Sequence, residues 1–291
     1  MTFPAPRIAL PRRDMLRALA IGSMAPWAAS LAGCESPPPA PVPSPSASAN
    51  SLPPRLTAVP TMDGRGARVR RIFPTRMTGY QDPFVLLDDF SVGAPAGFPE
   101  HPHRGFEAFT YMIDGSFHHK DNLGNDSVVH TGGTQRFTSG RGARHSEMPV
   151  GGGENRGLQL WVNLPRSLKK MEPEYEAVHG NDLPEAERAG VITRTIVGPQ
   201  SKVRLRTAVR YLHLQMKAGS RLEDEVPAGH TGLVYVAEGR VKIGDLDMAS
   251  GEGARPGPGE IGLLAMTDAH AFVLVGAAHN EPIVHRGPYV D

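Results

Sequence analysis

Cysteine is nearly absent: Cys34 is the only one in 291 residues. No disulfide can close within the chain, although exported proteins often use them. An excess of one charge sign is also missing. The 31 Lys+Arg are balanced by 30 Asp+Glu, which leaves no electrostatic footprint for nucleic acid, so none is expected as a partner. Aromatic residues are few, at 6%. A long apolar run is lacking too. The apolar stretch near the N-terminus is shorter than the ~20 residues a membrane span needs and contains Pro26. What is abundant is Gly (33) and Pro (28), punctuation that suits many short strands joined by turns.

The first sixty residues are built differently from the rest. "PRRDMLRALAIGSMAPWAASLAGC" has a basic start, an apolar middle and a small-residue end, the layout of an export signal. Arg12 and Arg13 stand side by side before the apolar run, as in twin-arginine signals. "LAGC", ending at Cys34, resembles a bacterial lipoprotein box, in which the cysteine is lipidated and begins the mature chain. An uncleaved membrane anchor is the alternative. With lipid on Cys34 the mature protein has no thiol, and any metal site must be made of His, Asp and Glu. These features predict a signal over residues 1–34 and a Pro/Ser/Ala-rich, disordered linker over 35–60. The mature protein is then held by its lipid on the outer side of a bacterial membrane, in the cell envelope.

From about residue 61 short apolar runs recur, among them "FVLLDDF", "FEAFTYMI", "LQLWVNLP", "RYLHLQM" and "AFVLVG". Their length and turn-forming flanks predict an all-β sandwich or barrel. "EPEYEAV" breaks the rhythm, and 181–189 has room for one short helical turn. A boundary there gives two β domains, 61–180 and 190–291. "YMIDGSF" (111–117) and "YVAEGRV" (235–241) both read as strand, acidic-Gly turn, strand, a faint sign of duplication.

Twelve histidines are available, and two short segments place them in pairs. In "HPHRGFEAFTY" (101–111), a continuous strand would put His101, His103 and Glu107 on one face and Pro102 on the other. Pro102 marks an edge or a strand start. In "GRGARHSEMP" (140–149), His145 and Glu147 are again two residues apart, between turn-forming glycines and a proline. Either pair alone could be a solvated loop. Together, in one β domain without cysteine, they point to a metal site. His118, His119 and Asp121 in "FHHKDNLGND" fit a pocket rim or a solvated turn equally and are left out of it. The second half has no H-x-H, so its barrel is expected to be metal-free.

"DPFVLLDDF", "GFPEHPHRGFE", "GRGARHSEMP", "GLQLWVNLP" and the late "EPIVHRGPYV" resemble successive blocks of the pirin family. The resemblance spans most of residues 61–290. It implies two tandem cupin barrels, a bicupin, with one mononuclear Fe(II) in the N-terminal barrel, and puts its ligands at His101, His103, His145 and Glu147. The general cupin pattern would instead make Glu107 the carboxylate ligand. The pirin likeness moves that role to Glu147 and leaves Glu107 either orienting a histidine or paired with Arg104 or Arg141. Members usually run on past the point where this chain stops at Asp291, so a terminal segment that packs on the N-terminal barrel is expected to be cut short. The export signal is a second departure, because the family is mostly intracellular.

Three function classes follow. The first is a quercetin 2,3-dioxygenase-like oxidoreductase that brings a small enolic aromatic and dioxygen together at iron, with Glu147 accepting the substrate's proton. The second is a non-catalytic, redox-responsive iron protein. The third is a cupin scaffold for a small ligand or protein partner. Nitrogen-rich sites also accept nickel, copper or zinc. A monomer is expected.

Overall fold

The computed structural model describes residues 54–291. Arg12, Arg13 and Cys34 lie outside these residues. Among the described residues no helix is long and apolar enough to cross a membrane. The fold is all-β, as expected. Among the described residues its helical structure is two 3-10 turns, Arg166–Leu168 and Gly180–Asp182.

Two barrels follow one another, each made of a seven-stranded and a four-stranded antiparallel sheet. In the first barrel the large sheet centres on Phe106–Asp114, Asn155–Asn163 and Phe84–Val92. Its small sheet runs Phe98–His103, Ala143–Pro149, Ser116–Asp121, Asp126–His130. In the second barrel the large sheet centres on His230–Glu238, Ala269–Ala277 and Val209–Met216. The segments 111–117 and 235–241 occupy equivalent places, but neither is a hairpin: Phe106–Asp114 and Ser116–Asp121 lie in different sheets, as do His230–Glu238 and Arg240–Ile243, so each turn carries the chain from one sheet to the other. Gly115 (φ 79°) and Gly239 (φ 76°) make these turns. A Cβ on Gly115 would lie 2.3 Å from Asn155 Oδ1, and one on Gly239 2.2 Å from Asp268 O, so both turns need glycine.

The outer faces of the two large sheets share one apolar core, with Phe109, Leu160 and Phe84 meeting Tyr211, Phe272 and Leu274. Strands in the middle of these sheets are buried on both faces. Phe84–Val92 is buried along almost its whole length, so it opens on the apolar run FVLL rather than an alternation, and its two aspartates are buried with it. The second barrel is filled by Leu, Val, Ile, Met and Ala side chains.

Three boundary expectations need correction. The linker does not extend to residue 60: Arg55–Thr57 is a strand paired with Glu252–Ala254 of the second barrel, with Leu56 in the shared core. Composition marked these residues as tether, but one buried leucine and a free sheet edge suffice to order them. The short helical turn given room in 181–189 is present, but it begins one residue earlier and takes only the start of that segment. The turn is Gly180–Asp182, and Glu185–Arg188 is an exposed edge strand. Finally, "EPEYEAV" does not interrupt the first barrel, since Glu174–Val178 pairs with Thr134–Thr138 as its last strand.

Candidate metal centre

The small sheet of the first barrel carries the histidines. Phe98–His103 is its edge strand, which suits Pro102. Antiparallel pairing sets His145 opposite His101. The pleat turns His101, His103 and His145 to the same interior, with ring centroids 4.5 to 4.9 Å apart. Each offers one nitrogen to a group whose members lie within 4.8 Å of one another.

Hydrogen bonds fix which nitrogens face inward. His101 Nδ1 lies 2.8 Å from Pro99 O and His103 Nδ1 3.3 Å from Pro288 O. A carbonyl can only accept, so each Nδ1 carries a hydrogen, and in the neutral ring each Nε2 has the lone pair. The two Nε2 atoms are 3.0 Å apart. Burial, reinforced by the neighbouring His101, pushes the His103 imidazolium down to about 3. Burial, then His103 and His101, holds His145 well below the usual histidine range. Neutral imidazoles so placed aim lone pairs at one another, which is unfavourable unless a cation lies among them. Both ring nitrogens of His145 are buried without a partner. The residues present therefore fit a divalent transition metal: three neutral nitrogen donors whose unsatisfied pairs converge.

Glu147 lines the same cavity, but its oxygens are not among the converging atoms. Gln159 Nε2 donates to Oε2 at 3.1 Å, and Gln135 Nε2 donates to Oε1. Thr110 Oγ1 sits 2.7 Å from both Glu147 Oε1 and Gln159 Oε1, with one hydrogen to give. The cavity, of about 590 Å³, has an apolar wall that includes Leu86, Phe90 and Trp161. Its polar end includes Arg71, which grips Asp88 at 2.9 and 2.7 Å.

Glu107 does not share the histidines' face. Gly105 (φ 85°) ends the edge strand, and the chain re-enters in the other sheet. The i, i+2 rule stops at that turn. Glu107 instead accepts from the Arg206 N–H (2.8 Å), at the start of the second barrel, and from Thr138 Oγ1 (2.8 Å) of its own sheet, with Arg136 at 3.5 Å. Burial raises its carboxyl despite these donors. It orients no histidine and pairs with neither expected arginine: Arg104 holds Asp291, and Arg141 holds Glu172.

Two contributors were left out of the site by sequence reasoning. His119 is fully buried, and its ring centroid lies 5.3 Å from that of His145. Strand alternation in "FHHKD" could have found it, since Phe117 and His119 share the inward face. The C-terminal segment is the second. Val290 is buried with Phe106 and Phe137, and the Val290 N–H donates to Arg104 O at 2.9 Å. Arg104 clasps Asp291 with two 2.9 Å bonds and lies 4.5 Å over the Tyr289 ring. Lys169, lowered to about 8 by burial, donates to Val290 O and Gly105 O. The chain's last residues thus do pack on the N-terminal barrel, and His285, Gly287 and Pro288 form part of the cavity wall.

Two antiparallel barrels joined through their large sheets, the first with three convergent imidazoles and the second filled with apolar side chains, define a bicupin with a candidate metal centre in its N-terminal domain. The Pirin family profile matches residues 66–162, and the Pirin C-terminal cupin domain matches residues 211–291. A pirin-like protein of Solanum lycopersicum is 41% identical over 239 residues, covering 78% of this chain and 82% of the relative. The chain belongs to the pirin family. Among solved structures, a quercetin 2,3-dioxygenase from Acinetobacter baumannii superposes with a TM-score of 0.76 at 30% identity, covering 81% of this chain and 90% of that one. A bacterial pirin from Escherichia coli in complex with nickel(II) shares the fold, with a TM-score of 0.64 at 18% identity, over 77% of this chain and 98% of the other.

Proposed function

We propose that this protein binds one Fe(II) through His101, His103, His145 and Glu147 and acts as a dioxygenase on flavonol-like or other enolic aromatic substrates. The observation that carries the reading is the convergence of the His101 and His103 Nε2 atoms, 3.0 Å apart beside an open cavity. When bound, the metal supplies Lewis-acid positions at which substrate and dioxygen can meet. The chain's own part is positioning and proton handling. Leu86, Phe90 and Trp161 offer flat apolar contact to an aromatic ring. Glu147, held by Gln135 and Gln159, is placed to take the proton of an acidic hydroxyl at one carboxylate oxygen. Thr110 and the two glutamines keep that buried carboxylate oriented.

The A. baumannii quercetin 2,3-dioxygenase supports this choice of substrate class. Oxygen uptake by iron-loaded protein across a panel of phenolics tests it. Uptake with flavonols that is lost in Glu147→Gln supports the reading. Stoichiometric iron without uptake on any phenolic rejects catalysis and leaves the redox-responsive iron protein. The location proposed for the protein is the bacterial envelope, by lipid on Cys34 after twin-arginine export.

A further inference from the structure

His119 lies beside the candidate ligands and has no role in the chemistry above. It sits on Ser116–Asp121, the neighbour of Ala143–Pro149, with His119 opposite Glu147 and Asp121 opposite His145. The side chains of His119 and Asp121 are both without solvent exposure, and His119 Nε2 lies 3.1 Å from Asp121 Oδ2. Asp121 is itself fixed. Its Oδ1 accepts from the backbone N–H groups of Leu123 and Asn125, each at 2.9 Å, and its Oδ2 from Asn125 Nδ2 at 2.8 Å. Burial raises this carboxyl, but the hydrogen bonds from Asn125, His119 and Leu123 outweigh it and leave it lowered. An ionised carboxylate only accepts, so His119 Nε2 carries a hydrogen, and in the neutral ring Nδ1 has the lone pair. That Nδ1 is buried and has no partner. The ring cannot swing freely, because Tyr175 stacks on it at 4.0 Å and 15°.

His145 presents the complementary need. Its ring is flanked by His101 and His103 at 4.5 and 4.9 Å and by His119 at 5.3 Å, and one face is covered by Phe137 at 4.4 Å. Both of its nitrogens are buried without partners. When one of them gives its lone pair to a cation, the other must be an N–H donor, and a buried donor without an acceptor is costly. His119, its ring centroid 5.3 Å from that of His145, has an unpartnered Nδ1, although no hydrogen bond joins the two rings in this structure.

We propose that His119, anchored by Asp121, accepts the hydrogen bond from the outer N–H of metal-bound His145 and so sets that ligand's orientation and donor strength. This rests on the reading of His101, His103 and His145 as the metal site. His119 is then a positioning residue, and the line Asp121–His119–His145 orients the ligand from behind, the kind of support whose loss usually weakens metal affinity 10- to 100-fold.

The test uses zinc(II), which is diamagnetic, with the wild type, His119→Leu and His119→Gln. Glutamine can donate to Asp121 and still offer an oxygen to His145; leucine cannot. The expected result is one zinc per chain, bound about 10- to 100-fold more weakly by His119→Leu and restored toward wild type in His119→Gln. Nitrogen-15 spectra of the zinc-loaded wild type give a reading that needs no variant. They should show His119 as the Nε2–H tautomer and a slowly exchanging N–H on His145. Unchanged zinc affinity in His119→Leu, or His119 found as the Nδ1–H tautomer or ligated to zinc, would overturn the proposal while leaving the metal site standing. Failure of the wild type to bind zinc at all would overturn both. A purely structural role would lower thermal stability in both variants without the glutamine restoring affinity.

Discussion

The Nδ1–H of His103 points at the carbonyl oxygen of Pro288, 3.3 Å away, although 185 residues separate the two. The orientation of an N-terminal imidazole therefore depends on the C-terminal segment. Gly105 is where that dependence can be tested. A Cβ there would lie 1.9 Å from Val290 O, and the backbone is at φ +85°. Gly105→Ala should destabilise the protein by more than about 1 kcal/mol, since alanine resists positive φ. It should also weaken metal binding, because Pro288 moves with Val290. Metal titration and Trp161 fluorescence, whose ring lies 5.6 Å from that of His285, would follow the displacement. Wild-type affinity with an unchanged Trp161 signal would show that the C-terminal segment does not support the site.

Removing two of the three converging donors should abolish the site without unfolding the chain. His103→Ala combined with His145→Ala is expected to bind no stoichiometric metal, as read by elemental analysis after desalting. Full retention by this double variant would refute the assignment of these histidines.

Metal removal should cost stability only by linkage. Both barrels and the interface between them have their own apolar cores, so the fold does not need the ion. Chelation from a hundredfold excess over Kd is expected to remove about 2.7 kcal/mol and lower the melting temperature. Calorimetry of the apoprotein should still show a cooperative transition. An apoprotein without one under mild conditions would contradict this.

At the interface, Tyr111 OH lies 2.9 Å from His213 Nδ1, and His213 Nε2 lies 3.0 Å from His270 Nδ1. Burial, then His270 and Arg194, lowers His213 to about 3. The unfolded chain takes up this proton near pH 6.5, whereas the folded one resists it until about pH 3. Below 6.5 the unfolded state therefore binds more protons, and stability falls as pH falls toward 3. His213→Asn removes this group. Its melting temperature should lie below wild type at pH 7 and converge on it by about pH 4. A gap that widens on acidification would reverse the sign.

The export reading has its own test. Arg12→Lys with Arg13→Lys should strand the precursor in the cytoplasm, and Cys34→Ala should block lipid attachment without affecting metal content. Twin-arginine substrates cross folded, so iron can be inserted beforehand, where availability rather than raw affinity selects the metal. Normal export of the Lys-Lys variant, measured by fractionation, would sink the twin-arginine proposal. Unchanged iron loading after rerouting through an unfolded-state translocon would sink the ordering argument alone.

The pairing of His101 with His103, and of His145 with Glu147, was legible from spacing, because a strand's period of two is local and carries through any uninterrupted run. The all-β class was legible for the same reason, and the family resemblance implied the two cupin barrels that the family matches show. Glu107 was not legible, since a single glycine at positive φ sends the chain into another sheet and resets which face each residue takes. Nor was the ordering of residues 55–57, whose composition matches a tether but whose partner strand lies almost 200 residues on. His119 beside His145, Pro288 behind His103 and the hold of Gln135 and Gln159 on Glu147 all arise from strand register and from chain ends docking on remote edges. Those are pairings between distant segments, selected by the burial they achieve together, and no local pattern in either segment specifies its partner.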